Sequence, residues 1–198
     1  MNTWIISDTH FGHGNIITYC SRPYVSNNLR PNVDAMDRDL IRRWNNRVAP
    51  TDLIYHLGDF GYALGKQELK TREEYMQELL SKLHGTKILI VGNHDKSAER
   101  MMEFGFDFAC EEMVIAYFGQ RLLLTHKPRP YLPSNIDFVL HGHIHNHSDD
   151  HLRQFEHKGE IVPNRRFNIN LSVEVINYEP QSLRAVVSQA CARRAGKI

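Results

Sequence analysis

Apolar positions along the chain follow two periods. Runs of strand length, rich in Ile, Val, Leu and Phe, occupy residues 3–7, 53–57, 87–91, 114–118, 121–125, 138–141 and 167–175. Between them, residues 33–48 place Met36, Leu40, Ile41 and Trp44 at helical spacing behind Pro31 and Asn32, which act as start signals. Thr71-Arg72-Glu73-Glu74 reads as a capping box opening a helix that runs to Leu83 and stops at Gly85, and Gly105 ends another short helix. Residues 182–194 predict a closing helix, and residues 111–125 predict two strands joined by a turn around Gly119. Prolines 128, 130 and 133 make residues 128–135 a loop, and dense His, Asp and charge make residues 146–163 a second one. Strands alternating with helices predict an α/β fold in which sheet and helix layers pack together. With no repeat and no linker to divide the chain, a single domain over residues 1–198 is expected.

Composition narrows the picture. A hydrophobic share of 41% and a charged share of 24% suit a folded globular chain and exclude fibrous or disordered classes. Lys and Arg number 24 against 23 acidic residues, so the net charge of +1 creates no global field for nucleic acid or an anionic membrane. Any anionic substrate must then be gripped locally. Three cysteines, Cys20, Cys110 and Cys191, are odd in number and far apart, which fits reduced packing thiols in a cytoplasmic protein. The start, Met1-Asn2-Thr3-Trp4-Ile5-Ile6, carries no basic leader, and no run approaches the length of a membrane span, so no membrane partner is expected.

The 12 histidines change the reading, because several follow apolar runs directly. Five motifs stand at the C-terminal ends of predicted strands, where α/β sheets gather their sites: Asp8-Thr9-His10, Gly58-Asp59, Gly92-Asn93-His94-Asp95, Thr125-His126 and Gly142-His143-Ile144-His145. Together they supply carboxylates, imidazoles and one amide oxygen but no thiolate. That donor set favours Mn, foremost, or Fe, Zn, Co or Ni, over calcium or a structural zinc. In Asp8-x-His10 and His143-x-His145, positions i and i+2 of an extended segment aim two ligands the same way. Gly58, Gly92 and Gly142 precede ligands, where a backbone must come close without a side chain.

In order and spacing these five motifs resemble the calcineurin-like metallophosphoesterase superfamily, over nearly the whole stretch from Asp8 to His145. The resemblance implies a sandwich of two mixed β-sheets flanked by α-helices. It also implies two divalent metal ions, one held by Asp8, His10 and His145, the other by Asn93, His126 and His143, with Asp59 bridging them. His94 would lie beside the substrate. One departure is visible: many relatives continue the second motif with a further aspartate and glycine, where this chain has Phe60-Gly61-Tyr62. The stretch from Ser7 to His13, followed by Arg22-Pro23, is similar to small bacterial and phage-borne members.

Two metals sharing a water would turn it into a nucleophile on phosphorus, so no serine or cysteine nucleophile is needed. His94, with Asp95 beside it, is expected to protonate the leaving group or donate to the phosphate. The chemistry expected is hydrolysis of a small phosphomonoester or phosphodiester, such as a nucleotide. The alternatives are a nuclease acting on single strands, using Lys127, Arg129, Tyr131, Arg153, Lys158, Arg165 and Arg166, and a non-catalytic scaffold. His13 and Asn15 are candidate substrate contacts, with Gly14-Asn15 also fitting a helix start. Arg22 could fork onto a phosphate or form a surface ion pair. His141 reads as a buried strand residue.

Overall fold

In the computed structural model, which describes residues 1–62, 72–147, 154–157, 160–163 and 167–196, two sheets carry the molecule. Strands β1 (Thr3–Ile6), β2 (Leu53–His56), β3 (Thr86–Ile90) and β4 (Phe108–Cys110) run parallel. Strand β11 (Gln181–Ser182) adds antiparallel to β1, giving the order β11-β1-β2-β3-β4. The second sheet has the order β10-β7-β6-β5, built from Asn168–Asn170, Phe138–His141, Gln120–Thr125 and Glu112–Tyr117. There β10, β7 and β6 are parallel, and β5 is antiparallel to β6. Both sheets are mixed, as expected. The β5–β6 connection is a two-residue turn in which Phe118 (φ 48°) and Gly119 (φ 73°) are both left-handed, a geometry that follows the strands' twist.

Period-2 alternation divides the five-stranded sheet between two cores. Ile6, Ile54 and Leu89 face α1 (Gly14–Tyr19), α2 (Val33–Arg47), α3 (Arg72–Lys82) and α4 (Ala98–Phe104), whose Ile17, Met36, Trp44, Met76, Leu80 and Phe104 share that cluster. Their neighbours Ile5, Tyr55 and Ile90 face the other way, onto Leu122, Leu124, Phe138 and Leu140 of the second sheet. Leu183, Val187 and Ala190 of α5 (Leu183–Arg194) close that inter-sheet core. The outer face of the four-stranded sheet is covered by a small cluster of Leu123, Val139 and Ile136.

Local signals explain the element ends. Asn32 caps α2 by accepting from the Ala35 N–H at 3.0 Å, and Gly105 (φ 123°) terminates α4. Asp52 ties the starts of β1 and β2 together by accepting from Asn2 N (2.6 Å) and Trp4 Nε1 (2.9 Å). The start of α3 assigned to Thr71 lies outside the described residues.

Three expectations change. Helix α1 was not anticipated beyond a start at Gly14-Asn15. Residues 146–163, read as loop, contain a hairpin of β8 (Gln154–His157) and β9 (Glu160–Pro163), whose apolar positions are too few to stand out among the charges. The expected strand 167–175 pairs with β7 only over Asn168–Asn170 and then changes sheets: Leu171 N still donates to His141 O, but Val173 N donates to Ser7 O at the end of β1. It finishes as a 3₁₀ turn, Val173–Val175. The three cysteines are free, with Cys20 buried. Among the described residues, no helix is long and apolar enough to cross a membrane.

Candidate metal centre

The loops leaving β1, β2, β3, β6 and β7 meet at one end of the sandwich and bring the expected ligands together. Asp8, His10 and His145 form one cluster and Asp59, His126 and His143 another, with donor atoms inside each cluster within 4.8 Å of one another. Asp59 joins the two: its Oδ2 lies 3.5 Å from His10 Nε2 and 3.5 Å from His126 Nε2. Asn93 completes the second cluster, with Oδ1 3.0 Å from His126 Nε2. His94 sits at the rim, its ring 40% exposed, with Nε2 3.9 Å from Asp59 Oδ2.

The pairs Asp8/His10 and His143/His145 do converge, but not by the extended geometry the sequence predicts. All four are left-handed, with φ of 57°, 51°, 71° and 49°, and Asp59 joins them at 55°. An extended continuation would carry the chain onward from the sheet; the left-handed kinks fold it back so that both side chains enter one cleft. Each such residue costs on the order of 1–2 kcal/mol, and strain of this kind collects at functional sites.

Close approach explains the glycines. A Cβ on Gly92 would stand 2.3 Å from both the backbone N and Oδ1 of Asp59, and one on Gly142 would stand 2.1 Å from Asp8 Oδ2. Substitution would push either carboxylate out of place.

The donors are oriented from behind. His126 Nδ1 lies 2.8 Å from the Leu57 carbonyl, which can only accept, so the ring turns Nε2 into the site. Asp8 accepts from His143 N (3.0 Å) and Ser172 Oγ (3.0 Å). Buried His56 bonds Thr9 Oγ1 at 2.9 Å, and burial lowers its pKa to about 3.

Electrostatics show what the site can hold. Burial alone would raise Asp59, but the His126 hydrogen bond and the charges of His126 and His10 hold it well below the usual carboxylate range. Burial works against charge on His145, yet contacts with Cys20, Glu174 and Asp8 lift it to about 10. His10, by contrast, is driven well below its ordinary value by burial. Its Nε2 is buried and has no hydrogen-bond partner among the described residues, while facing a carboxylate. Such an orphan costs roughly 1–3 kcal/mol. A lone pair aimed at an acid, with Asn93 Oδ1 and two more imidazoles alongside, is what a divalent cation needs; the residues fit the group.

Two expected roles are corrected. Asp95 does not accompany His94 into the cleft, because its part-buried carboxylate accepts from Gly92 N (2.8 Å), Asp59 N (2.8 Å) and Phe60 N (2.9 Å) and so clamps the loops after β2 and β3. Burial raises it to about 6. Arg22 is neither a phosphate fork nor a surface pair: it is 2% exposed and bonded to Glu174. Asn15 lies exposed in the first turn of α1. His13 is beside the cleft, with Nδ1 3.3 Å from His10 Nδ1 and its ring 4.6 Å from that of Tyr62. His141 is buried in β7, as expected. Of the basic residues a nuclease would use, Lys127 is exposed, Arg129 is paired with Glu112, and Arg153, Lys158, Arg165 and Arg166 lie outside the described residues.

Asn170, Ser172 and Glu174, all close to the ligands, were missed. Their signal is the strict alternation of Asn168, Asn170, Ser172 and Glu174 with apolar Ile169, Leu171 and Val173, the polar side of a strand aimed at a site.

The fold and this cluster define a metal-dependent phosphoesterase. The calcineurin-like phosphoesterase superfamily domain matches residues 1–163, and the chain belongs to that family. The uncharacterized protein MJ1445 of Methanocaldococcus jannaschii is 39% identical over 186 residues, covering 93% of this chain and 88% of that protein. The Gene 66 protein of Mycobacterium phage L5 is 31% identical over 94 residues, 48% of this chain and 40% of that protein. The crystal structure of a protein of unknown function, AQ665 from Aquifex aeolicus, superposes with a TM-score of 0.66 at 27% identity, covering 95% of this chain and 98% of that one.

Proposed function

We propose that the chain hydrolyses a small phosphoester, a nucleotide or similar compound, with two divalent cations, manganese foremost. Asp8, His10 and His145 hold one, Asn93, His126 and His143 hold the other, and Asp59 lies between them. The observation that carries this reading is the single oxygen of Asp59 standing 3.5 Å from an imidazole nitrogen of each cluster. Cations bound there supply Lewis acidity at phosphorus and an activated water.

The chain's own groups do the rest. The main-chain N–H of His94 donates to Asp59 Oδ1 at 2.9 Å, which fixes its loop and leaves the ring at the open rim. From there Nε2 donates a proton or hydrogen bond to a phosphoryl or leaving oxygen. His13 and Tyr62 form a wall on the same side. Residues 1–198 act as one domain, since β11 and α5, beyond the matched residues, complete the five-stranded sheet and the inter-sheet core.

Metal analysis of the Mn-loaded protein and of Asp59→Asn, followed by a panel of chromogenic monoesters, diesters and cyclic nucleotides, tests this. Two ions per chain, fewer in the variant, and turnover on the panel are expected. Two ions retained by Asp59→Asn would refute the bridge, and a loaded protein inert across the panel would refute the hydrolase.

A further inference from the structure

Behind the Asp8, His10 and His145 cluster lies a buried ion pair whose members are not among the expected ligands. Arg22 and Glu174 are separated by 152 residues, and their side chains are 0% and 3% exposed. Every N–H of the guanidinium is used. Nε and Nη2 donate to Glu174 Oε1 at 2.8 and 2.6 Å, Nη2 also donates to the Asp8 carbonyl at 2.8 Å, and Nη1 donates to the Thr9 carbonyl at 2.8 Å and to Met36 Sδ at 3.4 Å. Arg22 therefore grips two successive carbonyls, those of Asp8 and Thr9, inside the turn that presents Asp8 and His10. The same Glu174 Oε1 lies 3.0 Å from His145 Nδ1. A carboxylate already holding a guanidinium can only accept, so His145 carries a proton on Nδ1 and points Nε2 toward Asp8, 3.8 Å from Oδ1. Asn170 Nδ2 holds the His145 carbonyl at 2.7 Å from the same segment.

Among the described residues, no carboxylate meets the far side of the His126 ring in the other cluster. His126 is oriented by the neutral Leu57 carbonyl, and Asn93 is itself neutral. The two halves of the centre are thus built differently.

We propose that Glu174, braced by Arg22, is a positioning residue for one half of the centre only: it fixes His145 as an Nε2 ligand and makes its half the more basic one. This rests on the reading of Asp8, His10 and His145 as cation ligands. The Nδ1 side of the ring is not itself a cation position. Cys20, His145 and Glu174 donor atoms do lie within 4.8 Å of one another there, but the Arg22 charge on Glu174 opposes a cation in that corner.

Glu174→Gln keeps the shape and an accepting oxygen while removing the charge. Calorimetric titration of the metal-free full chain with Mn²⁺ should show two binding steps in the unsubstituted protein. In the variant one step should weaken about 10- to 100-fold and the other should hold within about two-fold. With Co²⁺, only one of the two visible absorption contributions should shift. Equal weakening of both steps, or of neither, overturns the proposal. Fewer than two steps in the unsubstituted chain overturns the two-cation reading itself, a separate result. Because the variant leaves Arg22 without a charged partner and can fail to fold, a second measurement uses the unsubstituted protein. In ¹⁵N-histidine spectra of the zinc-loaded chain, His145 should show a protonated Nδ1 and a metal-bound Nε2. Metal on Nδ1, in the Cys20 corner, overturns the proposal.

Discussion

Gly142→Ala tests whether the cleft is as tight as its geometry implies. The added methyl would stand 2.0 Å from Ser7 Oγ, 2.1 Å from Asp8 Oδ2 and 2.7 Å from Ser7 Cβ. Ordinary non-bonded contact with carbon begins near about 3.5 Å, so one side must give by roughly 1.5 Å. Neither neighbour is a free-swinging tip. Ser7 and Asp8 are both 0% exposed, Ser7 Oγ donates to the Leu57 carbonyl at 3.0 Å, and Asp8 Oδ2 accepts from Ser172 Oγ at 3.0 Å. Overpacking of this kind costs about 1–3 kcal/mol, which for a chain of this size lowers Tm by about 2–12 °C in the metal-free protein. The larger effect falls on ligation, because metal–ligand distances tolerate only about 0.2 Å. Mn²⁺ affinity at the Asp8 cluster should drop at least about 100-fold. Gly119→Ala is the control: nothing lies within 4 Å of its added methyl, but its φ of 73° strains an alanine, so it should lower Tm and leave metal binding unchanged. Calorimetry and metal titration of the two variants read both quantities. A Gly142→Ala protein that melts and binds Mn²⁺ like the unsubstituted chain would show that the close approach carries no constraint.

Other outcomes follow from the same geometry. His94→Ala should lower kcat by about 10²- to 10⁴-fold while the metal count stays unchanged; normal turnover would remove His94 from the reaction. Chelator treatment should lower Tm, since each cation site saturated at 100-fold its Kd adds about 2.7 kcal/mol, or about 5–11 °C at this chain length; a melt indifferent to chelator would argue against bound cations. Hydrogen bonds from Asn2 N, Trp4 Nε1 and Ala49 N hold the Asp52 carboxyl down to about 2. Its folded pKa is thus below the unfolded one, so its contribution is full above about pH 4 and is lost as pH falls toward 2. The Tm deficit of Asp52→Asn should be constant from pH 5 to 8 and shrink below pH 4; a deficit that persists at pH 2 would contradict this.

Most of the sandwich was legible because its elements are marked locally. Ile5/Ile6 and Leu89/Ile90 alternate between two cores, Met36, Leu40 and Trp44 repeat at helical spacing, and the ligand motifs follow strands with a glycine ahead of them. What stayed hidden depends on partners far away in sequence. Nothing near Arg22 marks Glu174, and nothing near Asp95 marks the Phe60 N–H, 35 residues away, that it clamps. A charged side chain read alone looks like a solvated one; only the folded chain shows it buried and matched. The alternation from Asn168 to Glu174 was visible as a strand, yet its polar face carried no motif, so its aim toward Asp8 and His145 came only from the crossover between sheets at Ser7 and Ser172.

The kinks at the ligands connect these levels. A sheet delivers its strand ends in parallel, several ångströms apart, whereas the donors of this cluster come from five strand ends into a single small volume. Straight strand extensions cannot close that gap. Left-handed turns at Asp8, His10, Asp59, His143 and His145 close it at a cost in backbone energy, and glycines at 92 and 142 let neighbouring loops pass within contact of the acids. A strained turn relaxes unless something grips it on the far side. Arg22 holds the Asp8 and Thr9 carbonyls, Asp95 holds the Asp59 and Phe60 amides, and Ser172 holds the Asp8 carboxylate. These side chains keep the donors converged, so that a cation bound there would not spend its binding energy on rebuilding the loops.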